Sequence, residues 1–186
     1  MTKSEIKEIV NRSIEQRNLC RVFFRYDVNY RYYFPLISND KLFLGAEEDD
    51  FILDGYSIRR YVDVTKVQIK EDKCVEILKS EGIIESIKTP NIDISNWETV
   101  FATLKKMNKN IIVECESLFE DECEFVIGRI DSVFKKFAYV CHFDADGIWQ
   151  EEPFKIPYTG ITSVTFGTRY VETFSKYLNE LQIKSI

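Results

Sequence analysis

The sequence predicts a mainly β protein of the α+β class in which one helix-plus-strands unit occurs twice. An amphipathic helix, a turn containing Asn, a run of short strands, an Asp-Gly turn and a closing strand occupy residues 2–78, and the same order recurs in residues 95–178. Residues 60–69 align with residues 157–166, with Tyr, Thr and Val in register. Because self-similarity at a fixed offset is the signature of a repeated structural unit, the chain is predicted to contain two copies of one module.

Each copy is predicted to open with a capped helix. Thr2-x-x-Glu5 has the spacing of a capping box and precedes an apolar stripe that ends near residue 18. In the second copy Ser95-x-x-Glu98 has the same spacing, and that helix is predicted to end near Asn108. A short helix at 73–80 and a C-terminal helix at 170–182 are predicted to follow the two copies.

After each opening helix the apolar spacing changes from the helical period to alternation, which predicts β strands. Asp54-Gly55 and Asp146-Gly147 are predicted to form equivalent turns. The predicted strands lie near 20–26, 30–37, 41–46, 56–62 and 64–70 in the first copy, and at 111–115, 126–130, 137–143, 148–156 and 161–166 in the second.

One helix followed by about five short strands resembles the Sm-like family of small, SH3-like β-barrels. Residues 128–133, which begin with Gly128, are similar to the glycine-bearing second strand of that family, and residues 137–140 to its apolar third strand. The resemblance implies two tandem bent barrels packed through their helices: a first module at 1–81, a linker at 82–94 and a second module at 95–186. Pro35 replaces the glycine in the first copy. The RNA-contacting loops of the family are absent, so its RNA binding and ring assembly are not implied. Residues 161–170 are also similar to the ending of uncharacterised bacterial proteins.

Composition excludes several classes of protein. The 186 residues carry a formal charge of −6, which is not the electrostatic footprint of a duplex-DNA binder. The five cysteines are odd in number and form no C-x-x-C pair, as is typical of a reducing compartment. No run approaches the roughly 20 apolar residues that span a bilayer. The expectation is a cytoplasmic protein without a membrane segment.

The sequence offers little catalytic chemistry. Its single histidine, His142, accompanies no nucleophile motif, and no phosphate-binding or dinucleotide-binding glycine loop is present. The acidic clusters at 47–50, 120–124 and 151–152 are interpreted as solvated loops. The sequence therefore predicts a protein that is not an enzyme and has neither a metal nor a cofactor.

The first hairpin carries the predicted binding surface. With residues 27–29 as its loop, Arg25 would face Arg31 and Phe23 would face Tyr33. One face would then present the set Arg21, Phe23, Arg25, Arg31 and Tyr33. Since like charges directly opposite on a sheet are unfavourable, this face is predicted to need an anion. That anion is either a ligand or acidic partner, or an internal carboxylate from residues 47–50; alternatively, the face packs on the other copy.

These observations predict a non-enzymatic binding or adaptor protein that acts through a protein–protein interface, such as a bacterial or phage regulatory or immunity-type factor. The alternative is a binder of single-stranded nucleic acid or of a small nucleotide-like anion through the first hairpin. The oligomeric state stays open, because the sheet edges could pair internally or with another copy of the chain.

Overall fold

The computed structural model describes residues 1–119 and 123–179, which form one ten-stranded antiparallel sheet with helices packed against it. The strands are β1 (Cys20–Phe24), β2 (Tyr30–Ser38), β3 (Leu42–Asp49), β4 (Ile52–Arg60), β5 (Val64–Ile69), β6 (Asn110–Cys115), β7 (Glu124–Val133), β8 (Phe137–His142), β9 (Phe154–Pro157) and β10 (Ser163–Phe166). The helices are α1 (Lys3–Gln16), α2 (Lys73–Ser80), α3 (Ile83–Ser86), α4 (Trp97–Met107) and α5 (Arg169–Phe174), and a 3₁₀ turn spans Tyr61–Asp63.

The sheet repeats its own connectivity. Its strand order is β5-β1-β2-β3-β4-β10-β6-β7-β8-β9, so in each half the fifth strand lies beside the first and the other strands follow in sequence. The second strand of each half also bulges at the same place against the third, between Pro35 and Ile37 and between Ile130 and Ser132. The two halves therefore share their strand order. They also share a register: adding 95 to the residue numbers of each pair between β2 and β3 gives the corresponding pair between β7 and β8.

The residues that align in sequence make the same contacts in both halves. The Tyr61 amide donates to the Lys41 carbonyl, and the Tyr158 amide donates to the equivalent Lys136 carbonyl. The Thr65 hydroxyl donates to the first strand of its half, at the Phe23 carbonyl, 3.1 Å away. The Thr162 hydroxyl donates in the same way to the Glu114 carbonyl, 3.0 Å away. Both aligned valines, Val67 and Val164, are buried.

The halves are joined through the sheet. Strand β4 pairs with β10 over four residue pairs, from Tyr56 opposite Phe166 to Arg59 opposite Ser163. The prediction that two modules pack through their helices is wrong in this respect, because the joint is a continuous antiparallel ladder. The sheet is open and is not closed into a barrel: β5 and β9 form its two edges. The division into modules at 1–81 and 95–186 stays a prediction.

The two opening helices begin at capping residues, one at the predicted position and one displaced by a residue. Thr2 caps α1 and forms the predicted capping box with Glu5. In α4 the capping box lies one residue later than predicted. Asn96 is the N-cap and accepts from the Thr99 amide, and the Thr99 hydroxyl accepts from the Asn96 amide.

The two Asp-Gly pairs also differ. Asp146-Gly147 forms the predicted turn, in which the Gly147 amide donates to Asp144. Asp54-Gly55 instead lies inside β4, and the β3–β4 turn falls at Asp50 and Phe51, both with positive φ. The predicted strand at 148–156 is reduced to β9 and a bridge at Trp149. The C-terminal helix ends at Phe174; the predicted positions after 179 lie outside the described residues.

Each half has its own apolar core. In the first half, α1 packs on the inner side of β1, β2 and β5, and its residues Ile6 and Val10 are fully buried. In the second half, α4 packs on β7 and β8, and its core continues across the joint to Leu44 and Ile58 of the first half. No helix in the described ranges has the length and apolar character needed to cross a bilayer.

Among the glycines of the chain, Gly128 in β7 has the least room for a side chain. A Cβ added at Gly128 would lie 1.9 Å from the Cys141 carbonyl oxygen and 2.7 Å from the His142 Cα. Both neighbours are backbone atoms, so the β7–β8 pair would have to separate locally.

We therefore expect Gly128→Ala to lower the free energy of unfolding by roughly 2–4 kcal/mol, as forced overpacking does. Urea denaturation measures the change. Gly160→Ala is the matched control, because the nearest atom to its added Cβ is the Cys115 Sγ at 3.5 Å. Equal stability of the two variants would contradict the proposed steric role of Gly128.

Candidate functional site

The first hairpin has a different register from the one predicted. Arg21 faces Tyr32, Phe23 faces Tyr30 and Val22 faces Arg31. The connecting loop is residues 25–29, so the pairing is displaced by three residues from the predicted one. Because side chains alternate between the two faces of a strand, an odd displacement moves every residue of β2 to the opposite face relative to β1. The predicted set Arg21, Phe23, Arg25, Arg31 and Tyr33 is therefore divided.

Two of the predicted residues, Arg21 and Phe23, remain on the outer side of the sheet, where Tyr30 and Tyr32 of β2 and Lys66 of β5 join them. We call these five residues the outer hairpin face. The rings of Phe23 and Tyr30 meet edge to face with centroids 5.3 Å apart, and those of Tyr30 and Tyr32 do so at 5.1 Å. The Arg21 guanidinium lies 5.3 Å from the Tyr30 centroid, and the Lys66 Nζ lies 5.2 Å from that of Phe23.

The charge of this face is partly compensated. Arg21 lies 3.3 Å from Asp72, and the buried Lys70 lies 3.6 Å from the same side chain. Lys70 also lies 4.5 Å from the Tyr32 centroid. Burial would raise the pKa of Tyr32, but interactions with Tyr30, Arg21 and Lys70 outweigh it and lower that pKa. The Tyr32 hydroxyl therefore lies in a locally positive environment.

Arg25 lies in the hairpin loop and interacts with the segment before β5. Its guanidinium donates to the Val62 carbonyl, and its Nε lies 3.6 Å from Asp63. The predicted repulsion between Arg25 and Arg31 does not arise, since the two residues are not opposite one another.

The other two predicted residues, Arg31 and Tyr33, lie on the opposite side of the sheet from the outer hairpin face, and Arg31 is partly exposed there. Arg31 lies 3.0 Å from Asp27 and 3.8 Å from Glu116. Tyr33 is fully buried, and its hydroxyl donates to Glu47 at 3.0 Å. Among the predicted counter-charges at residues 47–50, Glu47 contributes here. The ion-pair partners of Arg31, Asp27 and Glu116, lie elsewhere in the chain.

Arg31 and Glu47 belong to a partly buried ionic cluster at the joint between the halves, which we call the seam cluster: Arg31, Arg59, Glu47, Glu114 and Glu116. Arg59 is 1% exposed. Its Nη1 donates to Glu116 at 2.8 Å, its Nη2 lies 3.7 Å from Glu114, and its Nε donates to the Tyr33 hydroxyl at 3.3 Å. The guanidinium also lies 4.7 Å from the centroid of Phe24.

The pKa values of the cluster follow from burial and charge. Burial alone would lower the pKa of Arg59, but Tyr33 and the carboxylates raise it above its usual value. Burial raises the pKa of Glu47, against the opposing influence of Arg59 and Arg31. Burial likewise raises the pKa of Tyr33. The guanidinium ions are permanently charged, whereas Glu47 holds its proton more readily than an exposed glutamate.

The histidine and the cysteines do not form a metal-binding group within the described residues. His142 is partly exposed and contacts the ring of Phe154 at 5.7 Å. All five cysteines lie in the described part and are free thiols, with Cys20 and Cys141 buried. Within residues 1–119 and 123–179 no group of three or more His, Cys, Asp or Glu side chains is arranged to hold a metal ion. Residues 120–122 of the second acidic cluster lie outside the described residues.

No protein-family model, curated protein or solved structure matches this chain.

Sequence reasoning missed Tyr30, Tyr32 and Lys66 as members of the outer hairpin face. With the predicted loop at 27–29, Tyr30 and Tyr32 would lie on the opposite face from Arg21 and Phe23. No signal in β2 separates the two registers, because the consecutive aromatic residues Tyr32, Tyr33 and Phe34 supply large apolar side chains to both faces.

The raised pKa of Glu47 makes stability depend on pH. Between its ordinary value of 4.5 and its higher value in the folded state, the folded protein binds more protons than the unfolded chain. This contribution therefore falls as pH rises through that window. We expect Glu47→Gln to gain stability relative to the parent protein as pH rises from about 4.5, with urea unfolding at several pH values as the measurement.

Glu5→Gln is the matched control, because hydrogen bonds to Thr2 lower the pKa of Glu5. Its stability relative to the parent should fall as pH rises. The same slope for both variants would contradict the assignment.

Proposed function

We propose that this protein binds single-stranded nucleic acid through the outer hairpin face. The observation that carries the proposal is the row of three aromatic rings, Phe23, Tyr30 and Tyr32, with Arg21 and Lys66 over their faces. Sequence-tolerant binding of single strands combines aromatic rings, on which bases stack, with cations that follow the phosphates. Tyr30 is 39% exposed, so it offers a ring surface to a base.

The net charge of −6 is compatible with this function because the cations are local. Arg21 and Lys66 belong to this face and Lys70 lies against the ring of Tyr32, and Asp72 pairs with Arg21 and Lys70. A surface ion pair is worth little in free energy, so a phosphate can replace Asp72 as the partner of Arg21 at small cost. Lys66 is exposed and carries no ion pair within the described residues.

We also infer that the two halves are copies of one small module whose order of helix and strands resembles that of the Sm-like family. The matching order, the matching bulges and the equivalent bonds of Thr65 and Thr162 support this inference. The proposed nucleic-acid site belongs to the first copy alone. The position of Arg21 is occupied by Ile112 in the second copy, and the position of Phe23 is occupied by Glu114. The second copy therefore lacks both the cation and the aromatic ring.

A protein-binding adaptor is the second candidate function. Leu118, Phe119 and Phe125 near the β6–β7 hairpin are 72%, 68% and 58% exposed. Large exposed apolar side chains close together in the chain are typical of protein–protein contacts.

We expect a fluorescent oligonucleotide of about 15 nucleotides to bind at low salt and to dissociate as salt is raised, as measured by fluorescence anisotropy. Tyr30→Ala should weaken binding about 5- to 100-fold through lost stacking, and Lys66→Glu should weaken it through charge. Tyr177→Ala and Lys106→Glu are the matched controls, because both residues are exposed and lie outside this face.

Absence of binding to both DNA and RNA strands, or equal losses in the control variants, would contradict the nucleic-acid proposal. Purification of the tagged protein with and without nuclease then separates the two candidates. A stoichiometric protein that remains bound after nuclease treatment, and is lost in Phe119→Ser but retained in Tyr30→Ala, would establish the adaptor function instead.

A further inference from the structure

A groove of about 720 Å³ opens where the two halves meet, on residues that take no part in the outer hairpin face. The first half contributes the start of α1, the β2–β3 turn and Tyr61. The second half contributes the start of α4, the β7–β8 turn and Tyr158. The groove thus lies between two copies of the same structural features, and its volume falls in the range of small-molecule sites, roughly 300–1,000 Å³.

The groove is electropositive although the protein is acidic. Its lining contains five cations and two carboxylates, a surplus of three positive charges against a chain total of −6. A concave surface of one sign concentrates counter-ions of the opposite sign. The cations are Lys3, Lys7, Lys41, Arg60 and Lys135, and the carboxylates are Asp40 and Glu98.

Two of the cations are bound within the fold, Lys7 is partly exposed, and Lys41 and Lys135 are exposed. Lys3 donates to backbone carbonyls that include Tyr61, 2.8 Å away, and Arg60 donates to Asp63 at 2.6 Å. Lys7 pairs at 3.5 Å with the fully exposed Asp40, an arrangement of small energetic value.

Lys41 and Lys135 are exposed, and their side chains carry no hydrogen bond or ion pair within the described ranges. The cations available to a ligand are therefore Lys7, Lys41 and Lys135.

The Tyr158 hydroxyl gives an independent indication of a ligand. It is buried and has no hydrogen-bond partner among the described residues. The equivalent Tyr61 hydroxyl is 2.7 Å from the Ser38 hydroxyl, whereas Val133 stands at the position equivalent to Ser38 and offers no polar atom. A buried polar group without a partner is costly, and native structures seldom retain one without a water, ion or ligand.

The Tyr158 hydroxyl is protonated at neutral pH and can donate to an anion. Burial and the nearby Glu98 raise the pKa of Tyr158 to about 12. The Phe134 amide opposes this shift, but its own hydrogen bond is to the Phe137 carbonyl.

We propose that this groove binds a small anion that carries a pyrophosphate group, either free or as a nucleoside diphosphate. The surplus cations on opposite walls of the groove match an anion with several negative charges spread over two phosphoryl groups. The Tyr158 hydroxyl donates to a phosphoryl oxygen. The rings of Tyr61 and Trp97, which also line the groove, leave an apolar wall beside the phosphates.

Isothermal titration calorimetry of the full chain with inorganic pyrophosphate at low salt tests the proposal. We expect saturable binding that weakens about tenfold or more in the double variant Lys41→Glu/Lys135→Glu. Tyr158→Phe should also weaken binding while leaving the thermal stability equal or higher, because it removes an unpaired buried hydroxyl. Lys106→Glu is the charge-matched control and should bind as the parent does.

A second titration with ADP identifies the source of the pyrophosphate group. Tighter binding of ADP than of pyrophosphate would assign a nucleoside diphosphate, and equal binding would assign the free anion. Absence of heat with millimolar pyrophosphate, or unchanged affinity in the lysine double variant, would overturn the proposal. The Lys66→Glu variant should bind pyrophosphate normally, so this result does not depend on the nucleic-acid function.

Discussion

The charge of Arg59 is the constraint on which the arrangement of the two halves depends. Its side chain is 1% exposed and lies in β4, at the joint with β10. Two of its carboxylate partners, Glu114 and Glu116, come from the second half of the chain, at the end of β6. Removing one partner of a buried ion pair costs about 3–5 kcal/mol. Arg59 would lose these two partners if the halves separated, so the β4–β10 ladder and the seam cluster stabilise one another.

Some cationic side chains are paired within the seam cluster and others are not, and this difference determines where binding surfaces can occur. Arg31 is partly exposed, but its charge is balanced by two carboxylates, Asp27 in its own hairpin loop and Glu116 in the second half. Arg21, on the same hairpin but on the opposite side of the sheet, stays partly exposed beside the rings of Tyr30 and Tyr32. The joint also brings together turns that are far apart in sequence, which creates the groove with Lys41 and Lys135 on its walls. An acidic chain therefore presents two local cationic surfaces.

The repeated element order could be predicted from sequence because local signals determine it: capping residues, periodicity and the aligned Tyr and Thr residues. The hairpin register could not, because the residues between the two strands are compatible with more than one loop length, and an odd error in register moves a whole strand to the opposite face. The joint between the halves was also beyond sequence reasoning. Nothing in the residues around Arg59 distinguishes a buried arginine from the usual exposed one, since its two ion-pair partners, Glu114 and Glu116, lie more than 50 positions away.

A double-mutant cycle between Arg59 and Glu116 tests most directly whether the ionic seam joins the halves. The free energy of unfolding would be measured for the parent, Arg59→Met, Glu116→Gln and the double variant. The account predicts a coupling energy of about 1.5 kcal/mol or more, with the double variant more stable than the sum of the single losses implies. A coupling energy below about 0.5 kcal/mol would show that the two residues act independently and would contradict the central role of the seam cluster.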